Sequence, residues 1–200
     1  MIEEMVIRHC SPTLAGLKTA NMFGYRYVAK ELFISEIREL NNKLSSKGVY
    51  ALPLTYNSQK ALVYIYRPNM LKQDLENEDV RKILKDHGYK AESVPEFIAE
   101  LSGRISGCET GFPHEVGCFL GYPPSDVRGF IDEHCPQRCK NCPKCRMVGC
   151  WKVYGNEKYA KECFERYRKC SRVYWDVWVN SRNIEKLAVR DNTARVSRAV

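Results

Sequence analysis

The stretch "GVYALPLTYNSQKALVYIYRP" (residues 48–68) decides the fold class. Two runs rich in β-branched and aromatic residues, 48–56 and 60–68, flank the turn-forming "NSQ" at 57–59, which predicts an antiparallel hairpin. The unbroken apolar run Leu62 to Tyr66 does not alternate with polar residues, so this strand is expected to be covered on both faces. A sheet this small needs helices to cover it.

The flanking sequence supplies them. Upstream, "SPTLAGLKTANMF" (11–23) predicts a helix, with Ser11 as cap and Pro12 in the first turn. "ELFISEIRELNNKLSSKG" (31–48) places Ile37, Leu40 and Leu44 on one face and offers Gly48 as a stop. Downstream, "MLKQDLENEDVRKILKDHGY" (70–89) reads as one helical pattern stopping at Gly88. "SVPEFIAELSGRI" (93–105) opens on a capping box, Ser93 with Glu96. "GFPHEVGCFLGYPPSDVRGFIDEH" (111–134) reads as two short helices broken at Tyr122-Pro123-Pro124. "NEKYAKECFERYRKCSRVYWDVWV" (156–179) reads as one long amphipathic helix. The sum is α+β, mostly helical around a small antiparallel sheet. It is expected to be a single domain over residues 1–200, with a cysteine-rich loop at 134–150 between helical segments.

Composition narrows the function classes. Hydrophobic residues at 44% and charged residues at 28% suit an ordinary core and surface. No apolar run reaches the length of a membrane span, and the start "MIEEMVIRHC" carries acids where a signal peptide carries bases. A cytoplasmic protein without membrane association is expected. The net charge of +8 suits phosphates or acidic partners, yet no strongly basic tract concentrates it. The densest patches are "RYRKCSR" (166–172) and the tail "RDNTARVSRAV" (190–200). A solvated surface is the better reading, and nucleic acid is not favoured.

Five of the ten cysteines fall between 135 and 150, in "HCPQRCKNCPKCRMVGCWKVYG" (134–155). In a reducing cytosol such a cluster points to metal or chemistry before disulfides. Cys135, Cys139, Cys142 and Cys145 form a C-x3-C-x2-C-x2-C run whose soft thiolates meet at one centre with little loop-closure cost, while Pro136 and Pro143 stiffen the backbone between them. Structural zinc sites usually join two distant C-x2-C pairs, a separation absent here. The close run is nearer to the ferredoxin type, in which the last ligand comes from elsewhere. An iron–sulfur cluster and zinc both remain open. Cys150 and His134 are alternate ligands.

The remaining thiols read differently. Cys10 sits beside His9 and immediately before the helix expected from Ser11, where a helix N-terminus lowers a thiol's pKa. His114 and Glu115 offer a base and its orienter should the fold bring them to Cys10. A buried structural cysteine is the competing reading. Cys163 and Cys170 fall in line with Phe164 and Tyr167 on the long helix and read as core. The glycine-rich segment 111–131 carries no phosphate-loop signature. It reads either as a small-molecule pocket with Tyr122, Arg128 and Trp151, or as a tight helix contact through Gly117-x3-Gly121.

Three stretches, "HCSPTLAGLKTANMF" (9–23), "GFPHEVGCFLGYPPSDVRGFI" (111–131) and "GCWKVYGNEKYAKECFERYRKC" (149–170), resemble the family catalogued as domain of unknown function 3793. The likeness runs from residue 9 to about 175. It implies a protein of strictly anaerobic bacteria, with no established activity. It also implies signature stretches at Cys10, "PHEVGCFLGYP" and "CWKVYG", and an oxygen-poor cytosol that suits a cluster. Three functional expectations stand together. One is a metal- or cluster-binding protein with a redox or metal-handling role, served by a redox partner protein. Another is a thiol enzyme built on Cys10, and the third a zinc-stapled basic adaptor for nucleic acid or protein.

Overall fold

The computed structural model describes residues 1–57, 59–107, 112–134 and 144–191. The expected hairpin forms from β2 (Tyr50–Tyr56) and β3 (Lys60–Tyr66), paired antiparallel with an irregularity between Pro53 and Thr55. At its turn the Asn57 side chain accepts from the Lys60 amide at 3.0 Å, and the Asn57 amide donates to the Lys60 carbonyl at 2.8 Å. A further strand, β1 (Ala20–Arg26), pairs antiparallel with the other edge of β3, giving the order β1–β3–β2. With β3 central, its alternating side chains enter two different cores. Ala61, Val63 and Ile65 go to one, and Tyr64 goes to the other.

The first core gathers α1 (Ile2–Leu14), α2 (Lys30–Leu44), the 25-residue α8 (Glu157–Ser181) and the short α9 (Ile184–Leu187). The second gathers α3 (Pro68–Glu76), α4 (Glu78–Asp86), α5 (Val94–Gly107), α6 (Val116–Phe119) and α7 (Pro124–Glu133). The class is α+β, with helices on both faces of a small antiparallel sheet. Buried Arg67, just after β3, donates to the carbonyls of Thr13, Leu14 and Val189 at 2.6–2.7 Å, tying the end of α1 to the C-terminal segment. No helix among the described residues is long and apolar enough to cross a membrane.

Two local expectations are corrected. Residues 11–23 are not a helix. The helix is α1, which begins at Ile2, contains Pro12 and ends at Leu14, and the chain then turns through Gly16 into β1. Ile2, Val6, Ile7, Cys10 and Leu14 all lie inside the core and make its apolar stripe. Pro12 sits in the last turn of this helix rather than the first. Likewise, 70–89 holds two helices, because Asn77 leaves helical conformation and caps α4, accepting from the amides of Asp79 (3.0 Å) and Val80 (3.2 Å). Gly48 ends its helical segment as expected, in the left-handed conformation that glycine adopts without strain. Glu96 reaches back to the Ser93 amide at 3.3 Å, one arm of the expected capping box.

Candidate functional site

Two very short strands, β4 (Met147–Val148) and β5 (Lys152–Val153), make a second hairpin that carries Cys145 at its entrance and Cys150 at its turn. Two-residue strands cannot hold themselves together in water. Two carboxylates of α7 do it instead. Asp126, itself buried, accepts from the Trp151 indole at 2.7 Å and from the amides of Tyr154 (2.8 Å) and Gly155 (2.7 Å). Glu133 accepts from Tyr154 Oη at 2.5 Å and Lys152 Nζ at 3.0 Å, and these bonds hold its carboxyl below the usual glutamate range. Beneath them Trp151 and Val153 pack on Ala160, Cys163 and Phe164 of α8, a third small core. Gly149 lies so close to the Phe164 ring that a Cβ there would overlap it.

Cys145 and Cys150 are free thiols; Cys145 is half-buried and points its Sγ to the Met147 carbonyl at 3.3 Å, while Cys150 is exposed. Burial raises the Cys150 thiol, with Lys18 and Arg168 pulling it back. Cys135, Cys139 and Cys142 lie outside the described residues. Among the described residues no group of three or more His, Cys, Asp or Glu is placed to hold a metal ion. His134 ends α7, its Nδ1 2.8 Å from the Phe130 carbonyl and its ring against Phe130 and His114.

The three residues expected to form a thiol enzyme do not meet. Cys10 lies eight positions into α1, not at a helix N-terminus, and is fully buried in the first core. Burial pushes its thiol far up, and the charge acting on it is that of Lys18. Glu115 turns into the second core, accepting from Tyr89 Oη at 3.3 Å with Arg104 Nη1 at 4.0 Å. His114 turns the other way, against Phe130 and His134. Partial burial and the His134 ring hold its imidazole below the usual value.

The glycine-rich segment does line a pocket. A cavity of about 190 Å³ is bounded by His114, Gly117, Tyr122, Phe130 and Trp151. Arg128 is not part of it and pairs instead with Asp86 at 3.4 Å. Of the contact expected through Gly117-x3-Gly121, Gly117 packs against Val127 of α7, while Gly121 lies past the end of α6 in a left-handed turn against Thr19 and Asp74.

The residue that sequence reasoning missed is Lys18. It is only 4% exposed, its ammonium lies 4.8 Å from the Tyr122 ring centroid, and no carboxylate among the described residues pairs with it. Burial pulls its pKa down to about 8, against the opposing influence of Cys10 and Cys150. The opposite partner of Tyr122 is Trp151, stacked at 5.1 Å, and Tyr122 Oη donates to the Cys150 carbonyl at 3.3 Å. A signal was available, for Lys18 is the one Lys, Arg, Asp or Glu between Arg8 and Arg26. Asp126 gave a fainter one, an acid in the first turn after Pro123-Pro124.

Lys18 comes from the first signature stretch, Tyr122 and Asp126 from the second, and Cys150, Trp151 and Tyr154 from the third, so the three meet at one place. The chain belongs to the DUF3793 family. That family is described as a protein of unknown function, and its sequence model matches residues 6–188. No curated protein and no solved structure matched the chain. Membership in the DUF3793 family therefore brings no activity with it, and the chemistry is read from the residues.

Proposed function

We propose that this DUF3793 protein is a thiolate metal protein of a reducing cytoplasm, in which Cys135, Cys139, Cys142 and Cys145 bind an iron–sulfur cluster or zinc in a redox or metal-handling role. One observation from the fold supports the reading. The cysteine run leaves α7 at His134 and ends at Cys145, and Glu133 bonds directly to Lys152 and Tyr154 of the hairpin that follows. The described residues on either side of the run, Glu133 before it and Lys152 and Tyr154 after it, are thus bonded to each other, which would reduce the entropy lost when its thiolates converge on a metal. Cys145, at the end of the run, is unpaired with any other sulfur.

The test is anaerobic purification followed by an absorption spectrum and iron, sulfide and zinc analysis on one sample. Broad visible absorption with stoichiometric iron and sulfide, lost on replacing Cys139 and Cys142 with serine, assigns a cluster and an electron-transfer role. Stoichiometric zinc without colour assigns a metal-handling or structural zinc centre. A folded, colourless, metal-free protein sinks the proposal.

A further inference from the structure

A second site lies at the same hairpin. Between the hairpin and α8 runs a cleft of about 390 Å³, bounded by Val148 and Cys150 on one wall and Lys161, Phe164, Glu165 and Arg168 on the other. Residues 161, 165 and 168 follow one another at helical spacing along α8, so their head groups line one side while Phe164 supplies an apolar wall. Glu165 is the acid among the lining residues. Lys161 is turned toward Glu157 at 3.9 Å, and Arg168 has no carboxylate partner among the described residues. Lys18, buried outside the cleft lining and without an acid partner among the described residues, adds its charge at Cys150 to that of Arg168.

Arg168, exposed on the cleft wall and without a carboxylate partner among the described residues, lies beside Cys150, and the charge of Lys18, buried outside the cleft lining, acts on the same thiol. We propose that this cleft binds a small organic anion, its charged end received by Arg168 beside Cys150 and its apolar body lying against Phe164, with the buried Lys18 acting on it only through its charge. The site is independent of the metal centre proposed above, whose four ligands do not include Cys150. A carboxylate and a phosphate monoester share the chemistry it recognises, and the experiment separates them.

The protein with its native metal content is treated with the anionic 2-sulfonatoethyl and the cationic 2-trimethylammonioethyl methanethiosulfonates at low ionic strength. Modification of Cys150 is followed by peptide mass spectrometry, and each rate is divided by that of the same reagent with free cysteine. The anionic reagent is expected to be favoured by about tenfold or more, a preference that collapses in added salt. Arg168→Met, a change at an exposed position, is expected to cut the preference at least threefold, and Lys18→Met to cut it further. Benzoate or phenyl phosphate in millimolar excess is expected to slow the anionic reagent in the wild type and not in Arg168→Met. The more effective of the two names the ligand class. A cationic preference, a ratio unchanged in Arg168→Met, or protection by neither probe overturns the proposal. So does a Cys150 inert to both reagents, the behaviour of a metal ligand. Loss of bound metal with the anion preference intact counts against the metal centre alone.

Discussion

The two hairpins of this protein are held by opposite means. The 48–68 hairpin has seven-residue strands, and its central strand sends Val63, Ile65 and Tyr64 into two apolar cores, each side chain fully buried. Burial of that extent supplies its stability, at about 1.5–3 kcal/mol for each large apolar side chain. The 147–153 hairpin has two-residue strands and exposes Val148 and Cys150. It is held by two carboxylates reaching across from α7, helped by the small patch under Trp151. The difference teaches where chemistry can be placed. A hairpin fixed by directed bonds keeps its position while leaving its turn, the Cys150 thiol and its cleft open to solvent.

The comparison breaks first at Asp126. Asp126→Ala removes the acceptor of three donors at once and is expected to cost about 3–5 kcal/mol. The damage should be local in kind. Hydrogen exchange is expected to accelerate at Tyr154 and Gly155 while the β3 amides keep their order of protection. Asp126→Asn keeps one oxygen for the two amides but turns an amide group toward one donor, so about half the loss is expected. Equal, small effects of both changes in denaturant melts would show that the apolar patch alone holds the hairpin. The matching change on the other side is Ile65→Ala, expected to cost about 2–5 kcal/mol through the cavity it opens. That loss should be global, lowering the midpoint of unfolding without selectively exposing Tyr154 and Gly155. A selective effect at the cysteine hairpin would mean that the two regions are not separable.

How much of this was legible in the sequence follows the same division. The 48–68 hairpin, α2, the break at Pro123-Pro124 and α8 were legible because apolar periodicity and turn chemistry are local signals. The start of the chain was not, because Pro12 favours a first helical turn and was read that way, while the stripe Ile2, Val6, Cys10, Leu14 begins ten residues earlier. That single misreading placed Cys10 at a helix N-terminus, hid β1 and suggested an activated thiol where burial makes an inert one. The joint in 70–89 was missed because Asn77 interrupts a pattern whose apolar spacing barely changes. Asp126, Glu133 and Lys18 were out of reach for a different reason. Their roles depend on partners 28, 21 and 104 positions away, and no local pattern encodes those meetings.

Lys18 offers the next test, through pH. Its folded pKa is lowered, to about 8 from 10.5, so the native state penalises the charged lysine and the unfolded state does not. Below about pH 8 both states bind the proton and the full penalty is felt. As pH rises from about 8 to 10.5 the native state releases the proton first, and the lysine's contribution to stability improves by about 2–3 kcal/mol. Cys10, Cys150 and Tyr122 face the same ammonium and titrate in the opposite sense, so the total curve mixes several groups. The quantity to measure is the stability of wild type minus that of Lys18→Met, at pH 7, 8, 9 and 10. That difference should rise over this window. A difference independent of pH would show that the native lysine titrates near its ordinary value.

The smallest effect is expected at Glu133, where the second carboxylate meets the hairpin at a partly open surface. Tyr154 Oη and Lys152 Nζ favour its charged form, so its folded pKa lies below the ordinary 4.5. For an acid shifted down, the stabilising contribution is complete above 4.5 and is lost as pH falls through the lower folded value. Acidification should therefore loosen the Tyr154 end of the hairpin before the sheet responds, seen as movement of the Tyr154 ring resonances while those of Tyr64 stay fixed. Glu133→Gln keeps an oxygen for Tyr154 Oη but loses the charge that holds Lys152, so it should abolish this acid step with little change at neutral pH. If Tyr64 and Tyr154 instead shift together in both proteins, the hairpin and the sheet unfold as one unit. The division between a core held by burial and a site held by carboxylates then fails at its weakest bond.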